Sequence, residues 1–255
     1  IYRLLDVPDL GRKVDFSSLK YFMYGAAPMS VEKLKQAIEV IGPVMMGGYG
    51  QTEAPGSISY LRPDEHFVDG ALASDERLAS VGRPNPLVRV EILNEANEIV
   101  AQGETGEICV RGDVVMKGYW NDSNANAKAL RDGWLHTGDV GRFEDGYLYL
   151  LSRMNDVIIS GGSNIYPREV EDVLLLHPAV KEACVFGAPD DKWGEAVVAA
   201  VVASSPVSAD ELQALCKEHI ASFKKPKRIA FVEALPKNAY GKVLRRQVKE
   251  NLTRT

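Results

Sequence analysis

Apolar and polar positions fall into three textures along the chain. From Phe16 to about Ser59 the pattern reads strand–helix–strand. Lys20-Tyr-Phe-Met-Tyr24 is a short β-type run that ends in Gly25-Ala-Ala-Pro28. Ser30 can cap a helix whose apolar residues Val31, Leu34, Ile38 and Ile41 recur at helical spacing, and Gly42-Pro43 stops it. Val44-Met-Met46 starts a second strand that runs into Gly47-Gly-Tyr-Gly50. Two strands joined by one helix are expected to lie parallel with a right-handed crossover. Loops at the carboxyl ends of parallel strands are where such sheets bind ligands, and both Gly25–Pro28 and Gly47–Glu53 fall there.

The second stretch, about Ser80 to Ser152, is strand-rich with frequent turns. Val88–Leu93 is followed by the turn candidate Asn94-Glu-Ala-Asn97, Gly106–Gly112 is a strand between glycines, and Tyr147–Leu151 follows the hairpin signal Asp145-Gly146. A small antiparallel β-barrel or curled sheet is the simplest expectation. The third stretch begins near Arg153 and alternates strands (Asp156–Ser160, Ala183–Phe186, Ala196–Val202, Arg228–Val232) with helices. Pro167 suits a first helical turn with Val170, Val173 and Leu174 behind it. A further helix starts at Ser208 or Asp210 and carries Leu212, Leu215, Cys216, His219 and Ile220. About 100 residues of mixed α+β can form a small independent domain.

Composition narrows the function classes. The 255 residues are 45% hydrophobic and 25% charged, an ordinary globular balance with enough apolar mass for a core. A formal net charge of -5 argues against a nucleic-acid surface, since no basic excess exists to neutralise phosphates. The longest purely apolar run, Ala196 to Ala203, is far short of a membrane span. Cys109, Cys184 and Cys216 are an odd number, far apart, which fits a reducing compartment better than a disulfide framework. The histidines are scattered, so no metal cluster is expected, and no charged-then-apolar leader opens the chain. A cytoplasmic location is the expectation.

Several residues could carry chemistry. Tyr49-Gly-Gln-Thr-Glu53 combines an aromatic face that can stack on a purine, a threonine hydroxyl that can donate to phosphate, and a carboxylate that can hold Mg²⁺, which takes only one or two carboxylates. A turn with incidental polar residues is the equal alternative. Gly25, Ala26 and Ala27 leave room for backbone to approach a planar ring edge, or form a plain β–α turn. Asp139 of His136-Thr-Gly-Asp139 can accept from both ribose hydroxyls, or make local turn bonds. The Arg153 guanidinium can reach phosphate or ribose oxygens, though a lone Arg is usually a surface ion pair. Lys242 stands beside Gly241 on an exposed turn, where a lone Lys is ordinarily a solvated side chain. The basic run Lys224-Lys-Pro-Lys-Arg228 is ordinarily a solvated loop; alternatively it attracts an anionic nucleotide.

The order of these motifs carries more than any one of them. Gly-Ala-Ala-Pro, Tyr-Gly-Gln-Thr-Glu, Gly-Glu-Ile-Cys-Val-Arg-Gly with Lys-Gly-Tyr-Trp, Trp-Leu-His-Thr-Gly-Asp, Arg-Met-Asn-Asp-Val-Ile-Ile-Ser-Gly-Gly-Ser-Asn-Ile-Tyr-Pro and Pro-Lys-Asn-Ala-Tyr-Gly-Lys follow one another from about Lys20 to Arg246. This resembles the acyl-adenylate-forming superfamily of acyl-CoA synthetases, adenylation domains of nonribosomal peptide synthetases and beetle luciferases. The resemblance implies an α/β plus α+β architecture: the C-terminal part of a large parallel-sheet domain (1–153) with a β-α-β segment (16–60) and a small β-barrel subdomain (80–152), then a small mobile α+β domain (154–255). It also implies roles by position. Tyr49, Gly50 and Gln51 with Gly25, Ala26 and Ala27 resemble the adenine site, Thr52 the phosphate-contacting hydroxyl and Glu53 the Mg²⁺-linked carboxylate. Asp139 and Arg153 resemble the ribose and phosphate ligands. Asn155 occupies the hinge, where many members carry Asp or Lys. Gly161 and Gly162 resemble the element lining the pantetheine tunnel, and Lys242 the lysine of the first half-reaction.

One departure matters. The superfamily's Ser/Thr/Gly-rich phosphate loop ending in Pro-Lys-Gly is not found, and the chain opens on Ile1. The resemblance therefore implies the C-terminal half of a synthetase, whose missing N-terminal half supplies that loop and most of the acyl pocket. The implied activity is ATP-dependent acid–CoA ligation on fatty or aryl acids, with ATP/AMP, Mg²⁺ and coenzyme A as ligands. The alternatives are an adenylation module that loads a carrier protein and a non-catalytic binding or assembly fragment.

Overall fold

In the computed structural model, which describes residues 1–27, 29–239 and 241–253, the chain divides into two compact units, residues 1–150 and 151–255. Pro28 of the first loop and Tyr240 of the last motif lie outside the described residues.

In the first unit, Ser30 caps the helix Val31–Ile41 by accepting from the Lys33 N–H at 3.3 Å, and Gly42 ends it at φ +109°. The buried face is Leu34, Ala37, Ile38 and Ile41, the spacing that apolar periodicity dictates. The helix joins strands Phe22–Gly25 and Met45–Gln51, which pair in parallel with Gly25 opposite Gly48. The sheet is otherwise antiparallel. Strand Ala54–Leu61 follows Met45–Gln51 through a tight turn, and Arg83–Pro84 closes the order. The expected parallel sheet is thus a single parallel pair within a mixed sheet of four strands.

The expected barrel is an open sheet. Its strands run in the order Tyr147–Arg153, Trp134–Glu144, Gly106–Arg111 and Arg89–Leu93, with Leu130–Arg131 beside Trp134–Glu144. The reason lies at the edge that would have to close. The Leu148 N–H donates to Gly82 O, and Leu148 O accepts from the Val81 N–H, each at 2.8 Å. The connecting segment thereby satisfies an edge strand that would otherwise need a closing partner. Asp145 and Gly146 both take positive φ, 50° and 77°, as the two-residue hairpin turn requires. The inner face, Val90, Ile92, Ile108, Val110, Leu135 and Leu148, packs on Tyr49, Ala54 and Ile58 of the mixed sheet.

In the second unit, the apolar run becomes the central strand Gly194–Ala203, paired along its length with Val180–Asp190 and in parallel with Arg228–Phe231. Both faces are covered, so the run need not alternate with polar residues. Val197, Ala199 and Val201 pack against helices Pro167–Leu174 and Ala209–His219, while Val198, Ala200 and Val202 pack with Val248 of helix Arg245–Thr253. Ser208 caps the Ala209–His219 helix by accepting from the Glu211 N–H at 3.2 Å. All three cysteines are buried and free. Among the described residues, no helix is long and apolar enough to cross a membrane.

Candidate functional site

In the first unit a buried hydrogen bond joins two motif loops. Tyr49, 7% exposed, donates from its phenol to Asp139 Oδ2 at 2.7 Å, across 90 residues of sequence. Asp139 is itself only 3% exposed, and a carboxylate so placed must be hydrogen-bonded to be tolerated.

The backbone that presents Asp139 is a bulge. Against strand Gly106–Arg111, His136 pairs with Cys109 and Val140 with Glu107, so Thr137, Gly138 and Asp139 stand opposite Ile108 alone. Gly138 takes φ +70°, and extra residues in one strand re-aim side chains in this way. Three bonds hold the bulge. The Thr137 hydroxyl donates to Ile108 O at 2.7 Å and accepts from the Asp139 N–H at 3.1 Å, while the Gly138 N–H donates to Glu107 Oε1 at 2.9 Å. Glu107 Oε2 meets His136 Nδ1 at 2.7 Å.

Neither Glu107 nor Thr137 was expected as a site residue. The same is true of Tyr119, whose phenol donates to Glu53 Oε1 at 2.7 Å. That bond to a carboxylate pushes the Tyr119 pKa above its ordinary value. Tyr119 is held in turn by Asn126, whose amide accepts from the Tyr119 N–H at 2.6 Å and donates to its carbonyl at 3.0 Å. The Lys-Gly-Tyr-Trp motif was the available signal, but a tyrosine 66 positions from its partner gives no hint of the contact.

The remaining residues of this unit gather at the carboxyl ends of the parallel strands. Gly25 needs its missing side chain for packing: a Cβ there would stand 2.5 Å from Gly48 O. Ala26 holds φ +63°, and Ala26 and Ala27 are exposed. Gly50 and Thr52 are exposed, Gln51 and Glu53 half-buried, and the Gln51 Nε2 is buried with no hydrogen-bond partner.

The structure also assembles a group the sequence did not suggest. Glu107, Cys109 and His136 bring their donor atoms within 4.8 Å of one another. A guanidinium stands in the group: Arg131 Nη2 lies 2.7 Å from His136 Nδ1 and 3.5 Å from Glu107 Oε2. Burial pushes the Cys109 thiol up to about 12, so it is protonated at neutral pH. The Arg131 guanidinium thus shares the two acceptors of this group, Glu107 and His136.

In the second unit, Arg153 and Asn155 are exposed around the short turn Met154–Asp156. Gly161 and Gly162 form the two-residue turn between Ile158–Ser160 and Ser163–Ile165, at φ +58° and +80°. Gly161 N–H donates to Trp193 O at 2.8 Å, and a Cβ on Gly161 would stand 2.6 Å from the Trp193 ring. Trp193 remains 43% exposed, with Lys192 Nζ and Lys227 Nζ 5.0 and 5.3 Å from its ring centroid. The basic run is partly committed elsewhere: Lys224 pairs with Glu169 at 2.7 Å and Lys227 with Asp190 at 3.2 Å.

Lys242 rides a closed hairpin. The Asn238 N–H donates to Lys242 O at 2.9 Å, the Lys242 N–H donates to Asn238 Oδ1 at 3.0 Å, and the Leu244 N–H closes onto Pro236 O at 2.9 Å. Gly241 turns the chain at φ +83°. The Lys242 side chain is exposed, and among the described residues no carboxylate pairs with its ammonium. The expected residues thus fall into two groups: Gly25–Ala27, Tyr49–Glu53 and Asp139 in one unit; Arg153, Asn155, Gly161, Gly162 and Lys242 in the other.

Comparison with known proteins gives consistent matches over both units. The AMP-binding enzyme model matches residues 1–120, and the model of the AMP-binding enzyme C-terminal domain matches residues 169–242. A medium/long-chain-fatty-acid–CoA ligase of Mycobacterium tuberculosis is 43% identical over 98% of this chain and 44% of its own length. An amide bond synthetase from Marinactinospora thermotolerans superposes with a TM-score of 0.92 at 40% identity, over 99% of this chain and 51% of that one. The o-succinylbenzoate CoA synthetase of Bacillus subtilis, solved with its acyl-adenylate intermediate, superposes with a TM-score of 0.78 at 38% identity, over 94% of this chain and 49% of that one. Other structures of that synthetase hold ATP with a magnesium ion, or AMP. The chain spans about half the length of the relatives it matches.

Proposed function

Because this chain belongs to the AMP-binding enzyme family, we propose that it is the nucleotide-holding C-terminal half of an ATP-dependent acid–CoA ligase. The observation that carries this reading is the buried hydrogen bond from Tyr49 to Asp139. It joins a loop at the carboxyl end of the parallel strand pair to a carboxylate on a built bulge, and a ribonucleoside needs both a ring wall and an acceptor for its hydroxyls.

Tyr49, Gly50 and Gln51 with Gly25, Ala26 and Ala27 line the adenine side. The buried, unpartnered Gln51 amide is a donor suited to a polar ligand edge. Asp139 takes the ribose, Thr52 a phosphate oxygen, and Arg153 the ribose or phosphate. Glu53 holds Mg²⁺. A single half-buried carboxylate fits that ion, which keeps several waters and takes one or two carboxylates. When bound, the ion offsets phosphate charge.

The substrate acid is a poor electrophile until its carboxylate displaces pyrophosphate from ATP. This chain's part is to orient the reactants and stabilise charge. Lys242 supplies the cation between carboxylate and α-phosphate, and its exposed side chain, with no paired carboxylate among the described residues, is available for that role. Rotation at Asn155 then withdraws Lys242 and presents Gly162, a residue with open space where a Cβ would stand. Coenzyme A is the acceptor favoured here, because the exposed Trp193 face flanked by two ammonium groups suits a phosphorylated nucleotide. A fatty or aryl acid is the proposed substrate, and the missing upstream half is the proposed partner.

A pyrophosphate-release assay with a panel of acids tests the reading. The 255-residue chain alone is expected to form no acyl-adenylate. The same sequence joined to the upstream half its relatives have is expected to turn over and to yield a thioester with free coenzyme A. Thioester only on a pantetheinylated carrier would favour carrier loading. Robust turnover by the chain alone would overturn the division of labour, and no turnover by the longer protein would leave only a binding or assembly role.

A further inference from the structure

The hinge turn and the Lys242 hairpin are joined in the second unit by a side chain that neither the motif roles nor the comparisons assign. Arg245 opens the helix Arg245–Thr253, directly after Leu244, whose N–H closes the hairpin onto Pro236 O. Its Nη1 donates to Asp156 Oδ2 at 2.9 Å. Asp156 is the residue after Asn155 in the turn Met154–Asp156. Its Nη2 donates to Glu171 Oε1, and that same oxygen accepts the Val185 N–H at 2.8 Å. One guanidinium therefore bridges the hinge turn, helix Pro167–Leu174 and strand Val180–Asp190 from the root of the lysine hairpin. Side-chain exposure is 26% for Arg245, 31% for Asp156 and 14% for Glu171. Burial alone would lower the Arg245 pKa, yet Glu171 first and Asp156 after it raise it above the ordinary arginine value.

The hairpin keeps its own shape through the Asn238 bonds. What those bonds do not supply is an anchor. One arm has Lys237 paired with Glu182 at 2.7 Å, and the other has Arg245. We infer that Arg245 is a positioning residue that makes the hinge turn and the Lys242 hairpin one mechanical body, so that rotation at Asn155 carries Lys242 with it. What the rotation serves rests on the adenylate-forming reading; the link itself does not. A planar fork reaching two carboxylates at once is the chemistry of arginine, and a lysine at this place can satisfy only one of them.

Hydrogen–deuterium exchange on the chain as it stands tests the link, with Arg245→Gln, Arg245→Lys and Asp156→Asn. Arg245→Gln and Asp156→Asn are expected to raise exchange in 154–157 and 237–244 together, by about tenfold or more, with the central strand Gly194–Ala203 unchanged. Arg245→Lys is expected to keep the strand protected without restoring the joint protection. If Arg245→Gln fails to fold, Asp156→Asn still decides, because it leaves Arg245 and Glu171 in place and removes only the charge at the turn. A uniform rise across the unit, a rise in one segment alone, or no rise would overturn the inference. In the longer protein, Arg245→Lys is expected to lower kcat for adenylation about tenfold with KM for ATP unchanged. An unchanged kcat would refute the positioning role. If the unsubstituted longer protein makes no adenylate, the functional reading falls while the exchange data still decide the link.

Discussion

Asp139 and Lys242 are the two charged groups on which the proposed chemistry turns, and the chain places them in opposite ways. Asp139 is 3% exposed and accepts from a phenol, and its bulge is held by Thr137 and Glu107. Lys242 is exposed, its ammonium has no paired carboxylate among the described residues, and only its backbone is tied down. The physics of each charge explains the difference. A carboxyl held away from water needs hydrogen-bond partners, so the contacts around it are part of the fold and contribute to its stability. An ammonium that has to enter and leave a reaction must not be captured by a resident acid. Its precision then comes from the hairpin beneath it rather than from contacts to the charge.

That contrast breaks most decisively at Lys242. In the longer protein, Lys242→Ala is expected to lower adenylation by about 10²–10³, the usual cost of losing one placed electrostatic contact. Thioester formation from pre-made acyl-adenylate should be largely retained, and the unfolding free energy from urea denaturation should change by no more than about 0.5 kcal/mol, as for surface substitutions. Half-reaction kinetics and a denaturation curve check both parts. Equal loss in the two steps would remove the assigned role.

Tyr49→Phe probes the other side of the contrast. It removes the hydroxyl that donates to Asp139 at 2.7 Å while keeping the aromatic ring in its core. Because a buried carboxylate loses a donor, the first unit should lose about 1–3 kcal/mol, read from the urea midpoint at unchanged slope. A stability loss at Tyr49 with none at Lys242 is the pattern expected of one built charge and one available charge. Comparable losses at both positions would dissolve the distinction.

How far the sequence discloses all this depends on range. Local signals read well. Ser30, Ser208, Gly42 and Asp145-Gly146 each mark an element end within a few residues of where it lies, because caps and turns are decided by neighbouring backbone. The strand expected at Ala196–Val202 lies within the observed strand Gly194–Ala203, because an unbroken apolar run is also a local signal. Strand Ala54–Leu61 does not read, because its polar and glycine positions follow no simple alternation and pairing alone defines it. The barrel expectation fails because closure depends on whether the Leu148 edge finds another strand, and Val81 and Gly82 reach it first. The motifs single out the proposed site residues, but they do not disclose what supports them. Glu107 lies 31 positions from Gly138, and Arg245 lies 89 from Asp156. No local pattern connects residues so far apart; only the folded chain does.

The smallest effect expected sharpens the comparison through pH. His66 is 1% exposed; its Nδ1 lies 2.7 Å from Arg62 O and its Nε2 3.2 Å from the Tyr24 hydroxyl. A neutral ring with the proton on Nδ1 satisfies both partners, donating to the carbonyl and accepting from the phenol. Burial holds its pKa below the ordinary 6.5, although the Arg62 and Pro63 backbone and the acids Glu65 and Asp64 pull upward. With the folded pKa depressed, the unfolded chain binds more protons as pH drops below 6.5, so the first unit loses stability through that window and down to the folded value. Thermal midpoints of the first unit between pH 7.5 and 5.5 should therefore fall, and His66→Gln should flatten the dependence. A variant that keeps the full slope would show that protons taken up elsewhere in this unit control its acid sensitivity.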